Sequence, residues 1–325
     1  MKFSSAIQRF GMASASVALT LMAGTAVAKE VTIAIVAANM EYPFNAAEVR
    51  GFQAEAKELG VKSVVLDPKG SVEKQGNAVD DLITRKVDGI GSILLDSVVA
   101  KTWIDRANES NIPFVSVGVQ VGDPEKVPLK DVYPKLTALV TRDDVESGVI
   151  AGQMAAKFLP KDRVAQIGIV EGSAGVAAVK QRSQGFEEGL KRAGVKYKIV
   201  ASQPTDWTEV KGEAVCQNIL TAHPDVDLFF AQYDDLGLGC SRAIRNMGAH
   251  AKVVAADGGS RRGIDAIKAG EMSGSVCSKP ETMGRLSAKA LYDAATNKSS
   301  PKAQLITYKQ VGVTKDNLSE CVPQF

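Results

Sequence analysis

Histidine is almost missing from this chain of 325 residues: there are two, His223 and His250, both in helix-end loops. The four cysteines have no metal-ligand spacing, which argues against a structural zinc site. No Ser, Cys or His constellation of the kind that nucleophilic catalysis needs is found, so no catalytic residue, metal or cofactor is expected. An excess of one charge is lacking too. Lys+Arg 39 against Asp+Glu 37 leave a formal charge of +2, and nothing resembles a basic nucleic-acid face, so no nucleic acid is expected. Low-complexity tracts are absent, and beyond residue 28 no run approaches the ~18 apolar residues of a membrane-spanning helix. Phosphate-cradling loops are lacking as well. Gly172-Ser173-Ala174-Gly175 has neither G-x-G-x-x-G nor the lysine-serine of a P-loop, and Ala37 to Asn45 contains no glycine, which argues against a dinucleotide.

The first 28 residues are expected to stand outside the fold. Lys2 and Arg9 form a basic start, Met12 to Ala23 is small and apolar, and Ala26-Val27-Ala28 has the small-x-small pattern of a cleavage site. The run is too short to span a bilayer well. This predicts a secretory signal peptide cleaved after Ala28 and a periplasmic, exported protein. Its removal takes away two basic residues and no acid, which brings the formal charge to zero. The remainder is long enough for two domains.

Residues Phe229 to Gly259 are the most informative stretch. An apolar run, Leu228 to Ala231, ends in Gln232-Tyr233-Asp234-Asp235; a helical pattern follows and closes at Gly248. A second apolar run, Val253 to Ala256, ends in Asp257-Gly258-Gly259. Strands buried on both faces read as continuous apolar runs. Polar residues just past their carboxyl ends mark the edge where open parallel sheets bind ligands, which draws attention to Tyr233, Asp234 and Asp257.

The chain also echoes itself. GFQAEAKELGVK from Gly51-Phe52 is answered by GFEEGLKRAGVK from Gly185-Phe186, and Ile33, Ile35 and Val36 by Ile167, Ile169 and Val170 at the same offset. In the first unit strands are expected at Val31–Ala37, Ser63–Leu66, Gly89–Leu95 and Phe114–Val119, with helices at Asn45–Leu59, Ser71–Arg85 and Ala100–Asn108. The second opens with a helix at Val145–Phe158. Its strands are Val164–Val170, Lys198–Ala201, Leu228–Ala231, Lys252–Ala256 and Gly274–Cys277, and its helices Ala177–Ala193, Thr208–Ala222, Leu236–Met247 and Arg262–Lys268. A helix at Pro280–Thr296 and a strand near Leu305–Val311 end the series. Alternation of this kind gives α/β structure: two similar doubly wound parallel-sheet lobes.

The ordered motifs YPF (Tyr42 to Phe44), GF (Gly185-Phe186), SQPTDW (Ser202 to Trp207), QNILTAHPDV (Gln217 to Val226), FAQYD (Phe230 to Asp234) and ADGG (Ala256 to Gly259) cover the whole chain after residue 28. In them the sequence resembles the ribose-type periplasmic solute-binding proteins, the binding components of ABC importers. The resemblance implies two lobes joined by three crossovers, near Thr141, Ser278 and Thr307, that close on a small sugar or polyol and deliver it to a permease in the inner membrane. It places residues 29–141 and 279–308 in an N-terminal lobe and 142–278 and 309–325 in a C-terminal lobe, and implies a monomer. Matched position by position, the binding residues fall on Tyr42, Phe44, Asn45, Lys180, Trp207, Tyr233, Asp257 and Ser278. The family's Asp-Arg pair falls on Gly118-Val119 and is missing.

Each of these has a plainer reading. Asp257 could cap the helix from Arg262, Trp207 could be a hydrophobic staple on its helix, and Lys180 could be a solvated helix residue. Arg182 reads as structural, Asp143 and Asp144 as helix caps, and Asp96-Ser97 as a place on the pocket rim. Tyr42, Phe44, Trp207 and Tyr233 around Asp257 would also suit a quaternary amine in an aromatic cage. A sensory receptor feeding a membrane kinase or chemoreceptor would look the same in sequence. A lactose-repressor-type regulator would carry a DNA-binding helix pair in place of the signal peptide. Cys216 and Cys240 lie on successive helices of one sheet face, so a bridge between them is geometrically possible and would leave Cys277 to Cys321. Four cysteines nevertheless allow three connectivities.

Overall fold

The apolar runs become the central strands of two six-stranded sheets. The computed structural model describes residues 1–2, 30–123, 126–297 and 299–325, so the signal-peptide reading falls almost wholly outside the described residues. In the first half lie β1 (Thr32–Val36), α1 (Pro43–Glu58), β2 (Lys62–Leu66), α2 (Val72–Thr84), β3 (Gly89–Ser92), α3 (Ala100–Glu109), β4 (Phe114–Val117) and β5 (Ala138–Val140). Then come α4 (Asp144–Ala155), β6 (Ala165–Val170), α5 (Ala177–Arg192), β7 (Tyr197–Gln203), α6 (Glu209–Ala222), β8 (Leu228–Ala231), α7 (Asp234–Met247), β9 (Lys252–Gly258), α8 (Arg261–Ala269) and β10 (Gly274–Cys277). The chain ends with α9 (Pro280–Thr296), β11 (Gln304–Ile306), β12 (Val311–Val313) and a 3-10 turn at Lys315–Glu320.

Strand order is β2-β1-β3-β4-β5-β11 in one sheet and β7-β6-β8-β9-β10-β12 in the other, both doubly wound. Every pairing is parallel except that of β12, which runs antiparallel to β10. One expectation changes here and one unforeseen strand, β5, is added. The strand foreseen near Leu305–Val311 is two strands: β11 completes the first sheet beside β5, and β12 closes the second. The three-residue β5 is too short to leave an apolar-run signal. The chain passes between sheets after β5, after β10 and after β11.

The internal repeat has a packing cause. Phe52 and Phe186 are fully buried plugs, Phe186 stacked on Phe230 at 3.9 Å. The glycine before each lets another helix backbone in. A Cβ on Gly51 would stand 2.0 Å from the Glu281 carbonyl oxygen of α9, and one on Gly185 2.0 Å from that of Val145 in α4. Gly148 and Gly152 of α4 face Gly185 and Gly189 of α5 in the same way, so these two helices touch backbone to backbone.

Buried polar side chains then fix the carboxyl edges of the strands. Gln75 donates to the carbonyls of Ala37 and Ile93 at 3.0 and 2.8 Å and accepts from the Leu95 amide at 2.9 Å, tying the loops after β1 and β3 to α2. Asp234 does this in the second sheet. It is fully buried and accepts from the hydroxyls of Ser260 and Ser275, each at 2.7 Å. Burial pushes its pKa up to about 6, although those serines act to lower it. Asp234 is therefore a structural pin, not a residue offered to a ligand as its position had suggested. The disulfides are Cys216–Cys240, between α6 and α7, and Cys277–Cys321, from the end of β10 to the residue after the 3-10 turn.

Candidate functional site

Where the carboxyl ends of the two sheets face one another lies a cavity of about 280 Å³, near the lower end of the size range of small-molecule sites. The first lobe lines it with Tyr42, Phe44 and Asn45, at the start of α1; the second with Val176, Ala178, Arg182, Trp207, Tyr233 and Asp257. Arg142, in the crossover from β5 to α4, completes the wall. Pro43 in the first turn of α1 fixes the backbone before the helix and so sets Tyr42 and Phe44 at its mouth. Tyr42 is 61% exposed, a rim residue. Asn45 donates to the Glu48 carboxyl at 3.1 Å.

Trp207 has a backbone φ of +70°, a region an indole-bearing residue adopts only under constraint. The Thr205 hydroxyl accepts from its amide at 3.1 Å and itself donates to the Glu171 carbonyl at 2.7 Å, which ties the loop to the end of β6. The ring then lies where a side chain on Gly172 would be, since a Cβ there would be 1.9 Å from it. The glycine-rich turn after β6 thus makes room for an aromatic wall. Trp207 meets Tyr233 edge-on at 6.4 Å, and the guanidinium of Arg182 lies 5.7 Å from the indole centre. Arg142 lies 5.2 Å from the Phe44 ring in the same manner.

Beneath the aromatic residues is a buried ion network. Arg182 donates to Asp257 at 2.7 Å, to Asp144 at 2.8 Å and to the Gln232 carbonyl at 2.7 Å. Arg142 pairs with Asp257 at 3.0 Å and Asp144 at 3.2 Å. Ser278 donates to the second oxygen of Asp257. Burial acts to raise the Asp144 pKa, but the two arginines overcome it and hold the carboxyl below the usual range. Arg142 is driven upward against its own burial by Asp144 and Asp257, and is a permanent cation. Glu48 is the counter-case: burial pushes it up to about 8, against its bond from Asn45 and the nearby Arg142, so it is mostly protonated at neutral pH. Two cations and one anion, Asp257, therefore face the cavity, with Asp144 and the neutral carboxyl of Glu48 completing the network around them.

Of the sequence-derived residues, Tyr42, Phe44, Asn45, Trp207, Tyr233 and Asp257 line this cavity, and Ser278 is buried behind Asp257. Lys180 does not: it is exposed on α5, while Arg182, two residues on, turns inward and is only 2% exposed. Helical spacing explains the change, because two positions on a helix stand on nearly opposite faces. Arg182 and Asp144, read as structural or capping, belong to the network. Asp143 is the cap of α4, and α8 is capped by Ser260, not Asp257. Arg142 was missed altogether. Its one local signal is its place beside the Thr141 crossover; its partners lie 115 residues away in sequence, at Asp257, and in the short stretch that follows it. A second cavity of about 420 Å³ adjoins and shares Arg142, Val176 and Ala178. Gly118, Val119 and Ser97 line it, so the side-chain-poor position of the missing Asp-Arg pair opens space there.

Comparison with known proteins agrees with this fold. The chain is 32% identical over 263 residues to the ribose import binding protein RbsB of Escherichia coli (strain K12), covering 81% of this chain and 84% of that one. It is 25% identical over 276 residues to the xylitol-binding protein of Mycolicibacterium smegmatis, covering 84% and 74%. A crystal structure of an ABC transporter periplasmic solute-binding protein from Actinobacillus succinogenes with bound D-allose superposes with a TM-score of 0.80 at 22% identity, covering 90% of this chain and all of that one. The family model described as the periplasmic binding protein domain matches residues 33–299, and the chain belongs to that family, among its ribose-type solute-binding members.

Proposed function

We propose that the protein is the periplasmic receptor of an ABC importer, and that it binds an uncharged sugar or sugar alcohol in the cavity between its lobes. The observation that carries this reading is the self-neutralising network. Arg142, Arg182, Asp144 and Asp257 balance one another, so the site offers many hydrogen-bond donors and acceptors without a net charge to be met by the ligand. Phe44, Trp207 and Tyr233 supply apolar faces for the ring or carbon chain of such a solute. The arginines count against a quaternary amine, which would sit beside two cations.

In this reading the protein is a carrier and not an enzyme. Its signal peptide is cleaved after Ala28, and it works as a monomer that hands solute to a membrane permease. Residues 29–141 and 279–308 move as one lobe, and 142–278 with 309–325 as the other. Tyr42, Phe44 and Asn45 then reach the solute only in the closed form, so the solute shifts the open–closed equilibrium toward closure. The relatives' ribose and xylitol set the size class. Of the sequence-derived residues Lys180 stands outside the cavity wall, and Ser278 acts by orienting Asp257.

The test is a thermal-denaturation screen of the protein from Lys29 onward against pentoses, hexoses, pentitols, hexitols, inositols and quaternary amines. A solute at ~1,000 times its dissociation constant adds about 4 kcal/mol and raises the midpoint by about 8 °C or more. A shift confined to sugars or polyols is expected; a shift with amines alone would overturn the reading.

A further inference from the structure

The residues after Cys321 touch both lobes at the cavity. Cys321 is bonded to Cys277 at the end of β10, so the segment 322–325 is rooted in the second lobe beside the crossover to α9. Gly259, two residues past Asp257, packs on that disulfide, where a Cβ would be 2.7 Å from the Cys321 sulfur. Four residues reach at most ~14 Å, so whatever the segment does is done close to Asp257.

From that root it crosses to the first lobe. The Gln324 side chain accepts from the Thr282 amide at 3.2 Å and donates to the Thr282 hydroxyl at 3.1 Å, and its carbonyl accepts from Arg50 at 2.8 Å. Arg50 is on α1 and Thr282 on α9, both packed on the first sheet. The Phe325 carbonyl returns to the second lobe and accepts from the Arg261 amide, at the start of α8, at 2.9 Å. Its ring meets Phe44 of the first lobe edge-on at 5.3 Å and lies nearly parallel to Tyr233 of the second, 13° between planes at 6.4 Å. Phe44 and Tyr233 both line the cavity.

We propose that residues 322–325 are a disulfide-rooted clasp between the lobes, and that Phe325 is a positioning residue of the solute site. It holds Phe44 and Tyr233 in place on either side of the cavity and so slows solute escape. The clasp stands on the contacts alone; the role in solute retention rests on the function proposed above. Because the clasp ties the two lobes together in the arrangement described above, its removal acts on dissociation more than on association.

Two measurements on the full chain from Lys29, with both disulfides intact, decide this. In hydrogen-exchange mass spectrometry without solute, Phe325→Ala speeds exchange in peptides covering the Thr282 and Arg261 amides by ~10-fold, and Phe325→Tyr restores protection. Unchanged exchange at both overturns the clasp. In stopped-flow fluorescence with D-ribose, D-allose and xylitol as probes, Phe325→Ala raises the dissociation rate about fivefold with association within twofold, again restored by Phe325→Tyr. Unchanged dissociation in Phe325→Ala, with binding lost in Trp207→Ala, overturns the retention role and leaves the solute site standing. Normal binding in Trp207→Ala overturns the site itself, and the exchange measurement still judges the clasp.

Discussion

Arg182 and Asp257 meet at 2.7 Å with almost no exposed surface on either, 2% and 5% of their side chains. A pair so deeply buried contributes little net stability, yet removing one partner strands the other. Asp257→Ala leaves Arg142 and Arg182 sharing Asp144 alone, so it weakens the fold as well as the site. Expected is a loss of about 3–5 kcal/mol in urea unfolding together with loss of solute binding. Full stability in that variant would show that water or a side-chain shift compensates the arginines.

Trp207 offers a cleaner separation of binding from folding. Gly172→Ala places a methyl group where the indole lies, and the ring must move. We expect a stability loss of about 1–3 kcal/mol, typical of overpacking, with at least ~10-fold weaker solute binding by calorimetry, since a displaced aromatic face costs about 1 kcal/mol or more. A crystal structure of the variant with the indole unmoved would refute the steric argument.

Glu48 gives the protein a pH dependence of definite sign. Its folded pKa of about 8 lies above the ordinary 4.5, so the folded state keeps a proton that the unfolded state releases. The stability tied to that proton is complete below pH 4.5 and is lost as pH rises through about 8, at up to ~1.4 kcal/mol per pH unit. Glu48→Gln removes this slope. Asp144, held low, works the other way: its contribution is present above its ordinary pKa and lost as pH falls through the folded one. Urea midpoints from pH 5 to 9 in both proteins check the Glu48 effect, and parallel profiles would dismiss it.

The disulfides close loops with sequence separations of 24 and 44 residues. Chain-entropy arguments give about 3.5 and 4 kcal/mol. Cys216→Ser with Cys240→Ser lowers the thermal midpoint and leaves solute affinity unchanged, because neither cysteine of this bridge between α6 and α7 lines the cavity.

How far the sequence announced these features depends on distance along the chain. Strands and helices were legible because their signal is local and periodic, and the Gly-Phe repeat revealed two similar units before either was seen. Phe44, Trp207, Tyr233 and Asp257 were legible because each stands in a short motif at a strand or helix end. Arg142 and Glu48 were not. Both owe their place to packing between distant segments, and neither residue type is unusual where it stands. Lys180 shows the converse: a position matched along a line, without the helix rotation that decides which of two neighbouring cations faces inward. Phe325 carried no signal at all, since its importance comes from the bridge that roots it.

The glycine contact between α4 and α5 has a mechanical consequence. With no side chains between the two backbones there is no compliant layer to absorb shear, so the helices form one stiff lever. One end of that lever carries Asp144, directly after the β5 crossover, and Arg182, inside the cavity. Rotation at the crossover is therefore transmitted undamped to the ion network. Bending is left to residues 141–143, 278–279 and 307–310, the short stretches by which the chain passes between the sheets.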